Sequence, residues 1–367
     1  MHGMISYFVR RLLLVPITFL AITFLVYSIM RITPGGPIEQ ARLQMLQAMS
    51  QEVGGGGGDL FGTGTLELPQ EAIDQLKRYY KLDRPIPVGF AIWLGIWPDS
   101  ARGGGFSGIL QGDFGYSYQY SDPVLETIAS RFPVSIYFGL IGFFSTWLVS
   151  IPLGVQKALR HRSAFDTASS IVVFVGYSVP GFVAALVLLL LFGTELLGPS
   201  WDIFPLGGFR SENWDEMWAR GEIWWCVKDQ LRHTLIPIIG YVMGGFATMT
   251  LLMKNSLLEN LSADYVRTSF AKGLPERRVV FVHALRNSMI PLTVGIGGEI
   301  GLLFAGSFLI ERTCNIPGMG LLGFSSLLDR DYPVLMGILV FGVLLQLVGN
   351  ILSDFVLAVV DPRVRFR

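Results

Sequence analysis

Side chains that could do chemistry are few and scattered in this chain. Its four histidines, His2, His161, His233 and His283, form no HExxH pair and no metal-ligand spacing. Gly176-Tyr-Ser178-Val-Pro180 begins like a nucleophile elbow but lacks the closing glycine of GxSxG. There Gly176, Ser178, Pro180 and Gly181 are expected to loosen or kink a helix. Five consecutive glycines at 54–58 raise the idea of a phosphate loop. No Lys-Ser/Thr follows and no GxGxxG spacing exists, so a flexible link is expected. The nucleotide motif GxxxxGK[ST] is absent, and the chain is expected to bind no cofactor or metal of its own. Cys226 and Cys314 are too few for a disulfide scaffold, and spacing alone does not pair them. Two free buried thiols are the expected state, with a disulfide left open.

The densest polar pattern lies at 255–287. Leu257, Leu261, Tyr265, Val266 and Ser269 recur at helical spacing. Lys272 followed by Gly273 reads as a helix stop, a cation near the negative end and a glycine free to turn left-handed. Pro275 is suited to starting a second helix, Glu276 to its positive end, and Val279, Val280, His283 and Ala284 to continuing its face. The expectation is helix, sharp glycine turn, helix. Such a rigid projection can transmit force, although a basic hairpin resting on lipid headgroups has the same composition.

The elements that must hold this hairpin are apolar. Charged residues make up 15% of the 367, against about a quarter in soluble domains. Lys and Arg number 28, balanced by 28 Asp and Glu, so no basic excess suggests nucleic acid. Six stretches approach or exceed the roughly 20 apolar residues that cross a bilayer as helix. They are 12–30, 134–156, 168–194, 235–253, 288–310 and 333–353. Five carry no charge and the fifth carries only Glu299. No signal-peptide cleavage site follows the first stretch, so a retained anchor is expected.

Lys and Arg in short loops orient such a chain. Arg10, Arg11, Lys157, Arg160, Arg162, Lys254, the basic residues of 255–287 and Arg363, Arg365 and Arg367 share one side if every stretch crosses. That side is expected to be cytoplasmic, with both termini on it. Residues 33–132 then form an outer insertion, with a helix expected at 70–81. The segment 195–234, with Trp201, Trp214, Trp218, Trp224 and Trp225, is expected as an outer loop at the membrane boundary. The organisation is 1–32, first helix; 33–132, insertion; 133–360, five-helix core; 361–367, basic tail.

The stretch YVRTSFAKGL at 265–274, followed by HALRNSMIP at 283–291, resembles the cytoplasmic coupling loop of ABC importer permeases, especially the dipeptide and oligopeptide permeases. YFVRRL at 7–12, TPGGP at 33–37, GDFGYS at 112–117, PVSI at 133–136, DRDYP at 329–333 and DPR at 361–363 resemble that family in the same order. The long insertion and Pro34-Gly35-Gly36-Pro37 are similar to the branch that imports microcin C and peptides. Arg267-Thr268-Ser269 stands where the broad pattern has Glu-Ala-Ala, and Leu285-Arg286 where it has Leu-Pro.

The resemblance implies an all-α polytopic protein of six transmembrane helices, with the type I ABC importer permease fold, in the bacterial inner membrane. It implies half of an alternating-access pathway for oligopeptides or peptide-like compounds. The partners implied are a second homologous permease, cytoplasmic ATP-binding subunits using ATP and Mg, a periplasmic peptide-binding protein, the peptide and membrane lipid. An ion-coupled secondary transporter is the alternative class; it would commonly show repeated halves and several intramembrane charges. The ATPase-facing residues implied are Asp264, Tyr265, Arg267, Thr268, Ala271, Lys272, Gly273, Leu274, Pro275, Arg277, Arg278, His283 and Arg286. Gly298, Glu299, Gln346 and Asn350 are candidate pathway residues. Glu299 either attracts cationic groups of the cargo or is a protonated acid bonded to the partner permease. Gly295, Gly297, Gly298, Gly301 and Gly306 give the fifth span a smooth surface for sliding or for static packing.

Overall fold

The structure is a computed structural model and describes residues 2–33, 74, 77, 83–99, 104–294 and 306–360. Among these, regular structure is helical, with two isolated β-bridges. The helices used below are α1 (His2–Ile32), α2 (Ile86–Leu94), α3 (Val124–Leu159), α4 (Ala164–Ser178), α5 (Gly181–Phe192), α6 (Trp214–Ala219), α7 (Ile223–Ser262) and α8 (Asp264–Ala271). Then come α9, which runs from Glu276–Arg278 through a π-helical Val279–Ala284 into Leu285–Ser288, and α10 (Ile290–Val294). Last are α11 (Phe308–Thr313), α12 (Met319–Leu328) and α13 (Tyr332–Val360).

Helices α1, α3, α7 and α13 are each long and apolar enough to cross a bilayer, and the pair α4–α5 adds a fifth crossing if counted as one span. Each outruns the apolar window that marked it: α3 has 36 residues and α7 has 40, the latter about 60 Å long. The window measures what hydrocarbon demands, whereas helical hydrogen bonding continues through polar residues that form helix equally well. Trp224, Trp225, Cys226 and His233, expected in an outer loop, therefore stand on the first turns of α7. Trp214 lies on the short α6, stacked on Trp218 at 5.3 Å between centroids.

The stretch 168–194, expected as one span, is two helices meeting at 94°. Val179 is extended (φ −98°, ψ 117°) ahead of Pro180, whose ring disfavours a helical residue before it and which donates no hydrogen bond. Helix α5 restarts at once, with the N–H groups of Val183 and Ala184 donating to the Pro180 carbonyl. Of the expected fifth span, residues 295–305, with Gly295, Gly297, Gly298, Glu299 and Gly301, lie outside the described residues. So do the glycine run, the basic tail and the helix expected at 70–81, apart from Asp74 and Lys77, both helical.

Chain contacts divide the molecule into two units, each with its own core. One comprises Ile17–Thr127 and Ser326–Val340. Tyr27, Phe90, Leu94 and Met336 form its core, with the Tyr27 and Phe90 rings edge to face at 5.7 Å. In it Asp331, fully buried, caps α13 through the Val334 N–H at 3.5 Å and also accepts from the Ser117 hydroxyl.

The other unit comprises Met1–Pro16, Ile128–Ser325 and Phe341–Arg367. One of its clusters joins α3, α5, α7 and α11 through Phe138, Ala185, Leu189, Ile236 and Ile310. A second joins α3, α7, α8, α9 and α10 through Ala158, Met253, Leu257, Val266, Val279, Ala284 and Leu292. Helices α5 and α7 touch backbone to backbone. A Cβ at Gly181 would stand 2.2 Å from the Gly240 carbonyl oxygen, so only glycine permits this crossing.

Candidate functional site

The hairpin at 264–286 is built as its local signals require. Helix α7 ends at Ser262, Ala263 turns the chain with extended geometry (φ −71°, ψ 149°), and α8 follows. Gly273 has φ +76°. Its N–H donates to the Phe270 carbonyl at 2.9 Å, and the Leu274 N–H reaches back to the Ser269 carbonyl at 3.3 Å. These two bonds satisfy carbonyls that the helix end would otherwise leave bare. Pro275 stands just before α9 as its cap, one residue earlier than the first-turn position expected, and its carbonyl accepts from the N–H groups of Arg278 and Val279. The π-helical turn over Val279–Ala284 has no signal in the residue spacing. It buries Val279, Val280 and Ala284 on one side and leaves His283 half-buried.

The hairpin is fixed from below and open above. Val266, Val279 and Ala284, all at most 1% exposed, pack on Leu257, Met253 and Ala158, so α8 and α9 share one core with α3 and α7. Ser256 and Ser288 tie α7 to α9, the Ser256 hydroxyl donating to the Ser288 carbonyl at 3.0 Å. Among the candidate contact residues, Asp264, Tyr265, Arg267, Thr268, Ala271, Lys272, Gly273, Pro275, Arg277, Arg278 and Arg286 are exposed; Leu274 and His283 are half-buried. Sequence reasoning missed Phe270, Phe281 and Val282, which expose large apolar surface beside these cations. Their signal was an apolar residue on the polar face of each short helix. Asp264 and Arg267 approach to 3.6 Å, but both are open to solvent and their pairing contributes little.

Two turns below the hairpin, a charged cluster joins three helices. Asp166, in the first turn of α4, receives the Lys254 ammonium of α7 on both carboxylate oxygens, at 2.7 and 2.9 Å. Lys157 of α3 lies 3.3 Å from the same carboxylate and is fully buried. Its ammonium also donates to the Ser169 and Ser170 hydroxyls, at 3.0 and 2.7 Å, and to the Asp166 carbonyl at 3.1 Å. His161 Nδ1 is 3.3 Å from the other carboxylate oxygen. The Lys254 hydrogen bonds hold the Asp166 carboxyl well below the usual carboxylate range, against the opposing effect of its burial. In the sequence Lys157 and Lys254 counted only as positive charges on the inner side.

Of the candidate pathway residues, Gly298 and Glu299 lie outside the described residues. Gln346 and Asn350 stand one turn apart on α13, with the Gln346 amide donating to the Asn350 side-chain oxygen at 3.2 Å. Arg11 of α1 donates to the Asn350 carbonyl at 2.9 Å and pairs with Asp354. A further buried acid, missed because it falls just past an apolar stretch, is Glu311 on α11. It accepts from the Leu321 N–H at 2.7 Å, the Tyr241 hydroxyl at 3.4 Å and the Ser135 hydroxyl at 3.5 Å, capping α12. Cys226 and Cys314 are both buried free thiols, and burial pushes the Cys314 thiol up to about 12.

Comparison with known proteins bears on the same region. The family model for the binding-protein-dependent transport system inner membrane component matches residues 150–366, which include the charged cluster around Asp166 and the hairpin. The chain is 35% identical to the inner membrane ABC transporter permease protein YejB of Escherichia coli O157:H7, over 98% of this chain and 99% of that protein. It is 34% identical to the peptidoglycan transport system permease protein YejB of Agrobacterium fabrum, over 98% of each. It is 30% identical to the dipeptide transport system permease protein DppB of Escherichia coli K12, over 99% of this chain and 100% of that protein.

Proposed function

The chain belongs to the family of binding-protein-dependent transport system inner membrane components and is a transmembrane permease subunit of an ABC-type peptide importer; from that premise we propose that its 264–286 hairpin receives the stroke of a separate ATP-binding subunit. One observation carries this reading: the hairpin is locked to α3 and α7 by buried Val266, Val279 and Ala284 while its opposite surface is open. A loop without that core would absorb a push by bending. The open surface pairs an excess of cations with exposed Phe270 and Phe281, the composition of a docking face with an apolar centre and a charged rim.

The rest of the reading follows from the family. The protein is multi-pass and sits in the inner membrane; six crossings put both termini and the hairpin in the cytoplasm, and residues 33–132 outside. The chain itself is non-catalytic, ATP and Mg being handled by the partner subunits. A second permease completes the route, and a periplasmic binding protein delivers the peptide. Gly298, Glu299, Gln346 and Asn350 are the route candidates in this reading, Glu299 either drawing cationic groups of the cargo inward or bonding, protonated, to the partner permease. Peptide is the cargo class, and microcin C-type modified peptides are a narrower case within it.

Cysteine crosslinking in the assembled importer tests the docking. The native thiols are buried, so background is low. Single cysteines at Thr268 and Arg277 should crosslink to the ATP-binding subunit, and one at Trp218, in the outer segment, should not. Absence of crosslinks from both hairpin positions would overturn the assignment.

A further inference from the structure

We propose that the Asp166 clasp is a coupling device: Asp166, Lys157 and Lys254 are positioning residues that make α4 follow the hairpin during transport. This rests on the docking reading above. Helix α7 runs directly into the hairpin, and Lys254 lies on it about two turns before Ser262. Through Lys254 the carboxylate of Asp166 fastens the first turn of α4 to α7, and through Lys157 it fastens the same turn to the end of α3. The far end of α4 is a sharp bend, where α4 and α5 meet at 94° across Val179 and Pro180. Helix α5 is seated on α7 separately, at the Gly181–Gly240 contact. Helix α4 is thus an arm gripped at the hairpin end and sharply bent at the other, where Gly176 lies against the Phe246 ring of α7.

The grip is charged and largely buried, which makes it stiff. Lys157 is wholly buried and Asp166 nearly so, and the Lys157 ammonium has hydroxyl, carbonyl and carboxylate acceptors around it. Separating Asp166 from Lys157 would leave the lysine's charge uncompensated out of water, a strongly resisted change. Two ammonium groups share one carboxylate, so one lysine is surplus to neutrality. A pair of buried charges would satisfy the fold of α3 and α4 alone; the second lysine adds the link to α7.

That surplus provides the test. Lys254→Met cuts the α7 link and leaves Asp166 paired with Lys157, so the buried charge stays balanced. The complete importer carrying this variant is placed in proteoliposomes, and peptide transported per ATP hydrolysed is measured. ATP-binding subunits should co-purify as in the unaltered complex, and ATP hydrolysis should continue. Transport per ATP should fall about five- to tenfold, the size of an ordinary coupling between sites. Lys254→Arg, which retains the charge, should restore most of it. Unchanged transport per ATP in Lys254→Met would overturn the proposal. So would a parallel loss of co-purified ATP-binding subunits, which would make the clasp a folding element. Failure of the docking reading itself would show separately, as missing hairpin crosslinks in the unaltered complex.

Discussion

Glu311 and Asp166 are both buried acids in a protein with few charges, and their surroundings give them different work. Glu311 is held by neutral donors, the Leu321 N–H and the hydroxyls of Tyr241 and Ser135. Glu311→Leu would strand these donors, at about 1–3 kcal/mol for each one left unsatisfied. A clearly lowered melting temperature of the purified subunit in detergent is expected, with Glu311→Gln closer to wild type because it keeps an acceptor. Asp166 is held by cations, which lower its folded-state pKa. A carboxyl depressed in this way stabilises fully above its unfolded pKa of about 3.9, and the contribution is lost as pH falls below that. Melting temperature measured against pH should therefore show no Asp166-dependent change between about pH 6 and 5. A drop that Asp166→Asn lacks should appear below about pH 4. Neither acid's role was legible in the sequence. Asp166 is nine residues from Lys157 and 88 from Lys254, and nothing local says that the three meet.

At the scale of elements, the legible features were those with local causes. The helix–Gly273–helix hairpin could be read because a stop signal at Lys272, a left-handed glycine at Gly273 and a proline at Pro275 stand within one short stretch. The bend between α4 and α5 could be read as a kink from Pro180, though not its 94°. The π-helical turn and the tight α5–α7 crossing could not, since both answer to packing partners far along the chain. No atom would obstruct a side chain at Gly273, so only its positive φ restricts the position. Gly273→Val should cost about 1–2 kcal/mol locally and impair ATPase co-purification or uptake, whereas Gly273→Asn, which tolerates that backbone, should do neither. At Gly181 space itself is lacking, and Gly181→Leu should force α5 off α7. Overpacking of that kind costs about 1–3 kcal/mol or more, readable as a lowered melting temperature and a reduced yield of folded protein.

For the whole molecule, composition fixed the class early: 15% charged residues and long uncharged stretches leave a polytopic membrane helix protein. Similarity over nearly the full chain to peptide permeases supplies the activity. The apolar windows located α1, α3, α7 and α13 and the bent pair, yet underestimated their lengths because hydrophobicity marks the bilayer rather than the helix ends. The central claim is that ATP hydrolysis elsewhere, acting through the hairpin, drives peptide across this subunit. Peptide accumulation in proteoliposomes containing the complete importer, with ATP supplied at the hairpin face and proton and sodium gradients dissipated by ionophores, tests it most directly. Accumulation that requires ATP, ignores the ionophores and is lost in Gly273→Val is the predicted result. Accumulation that collapses with the ionophores, or persists without ATP, would contradict it.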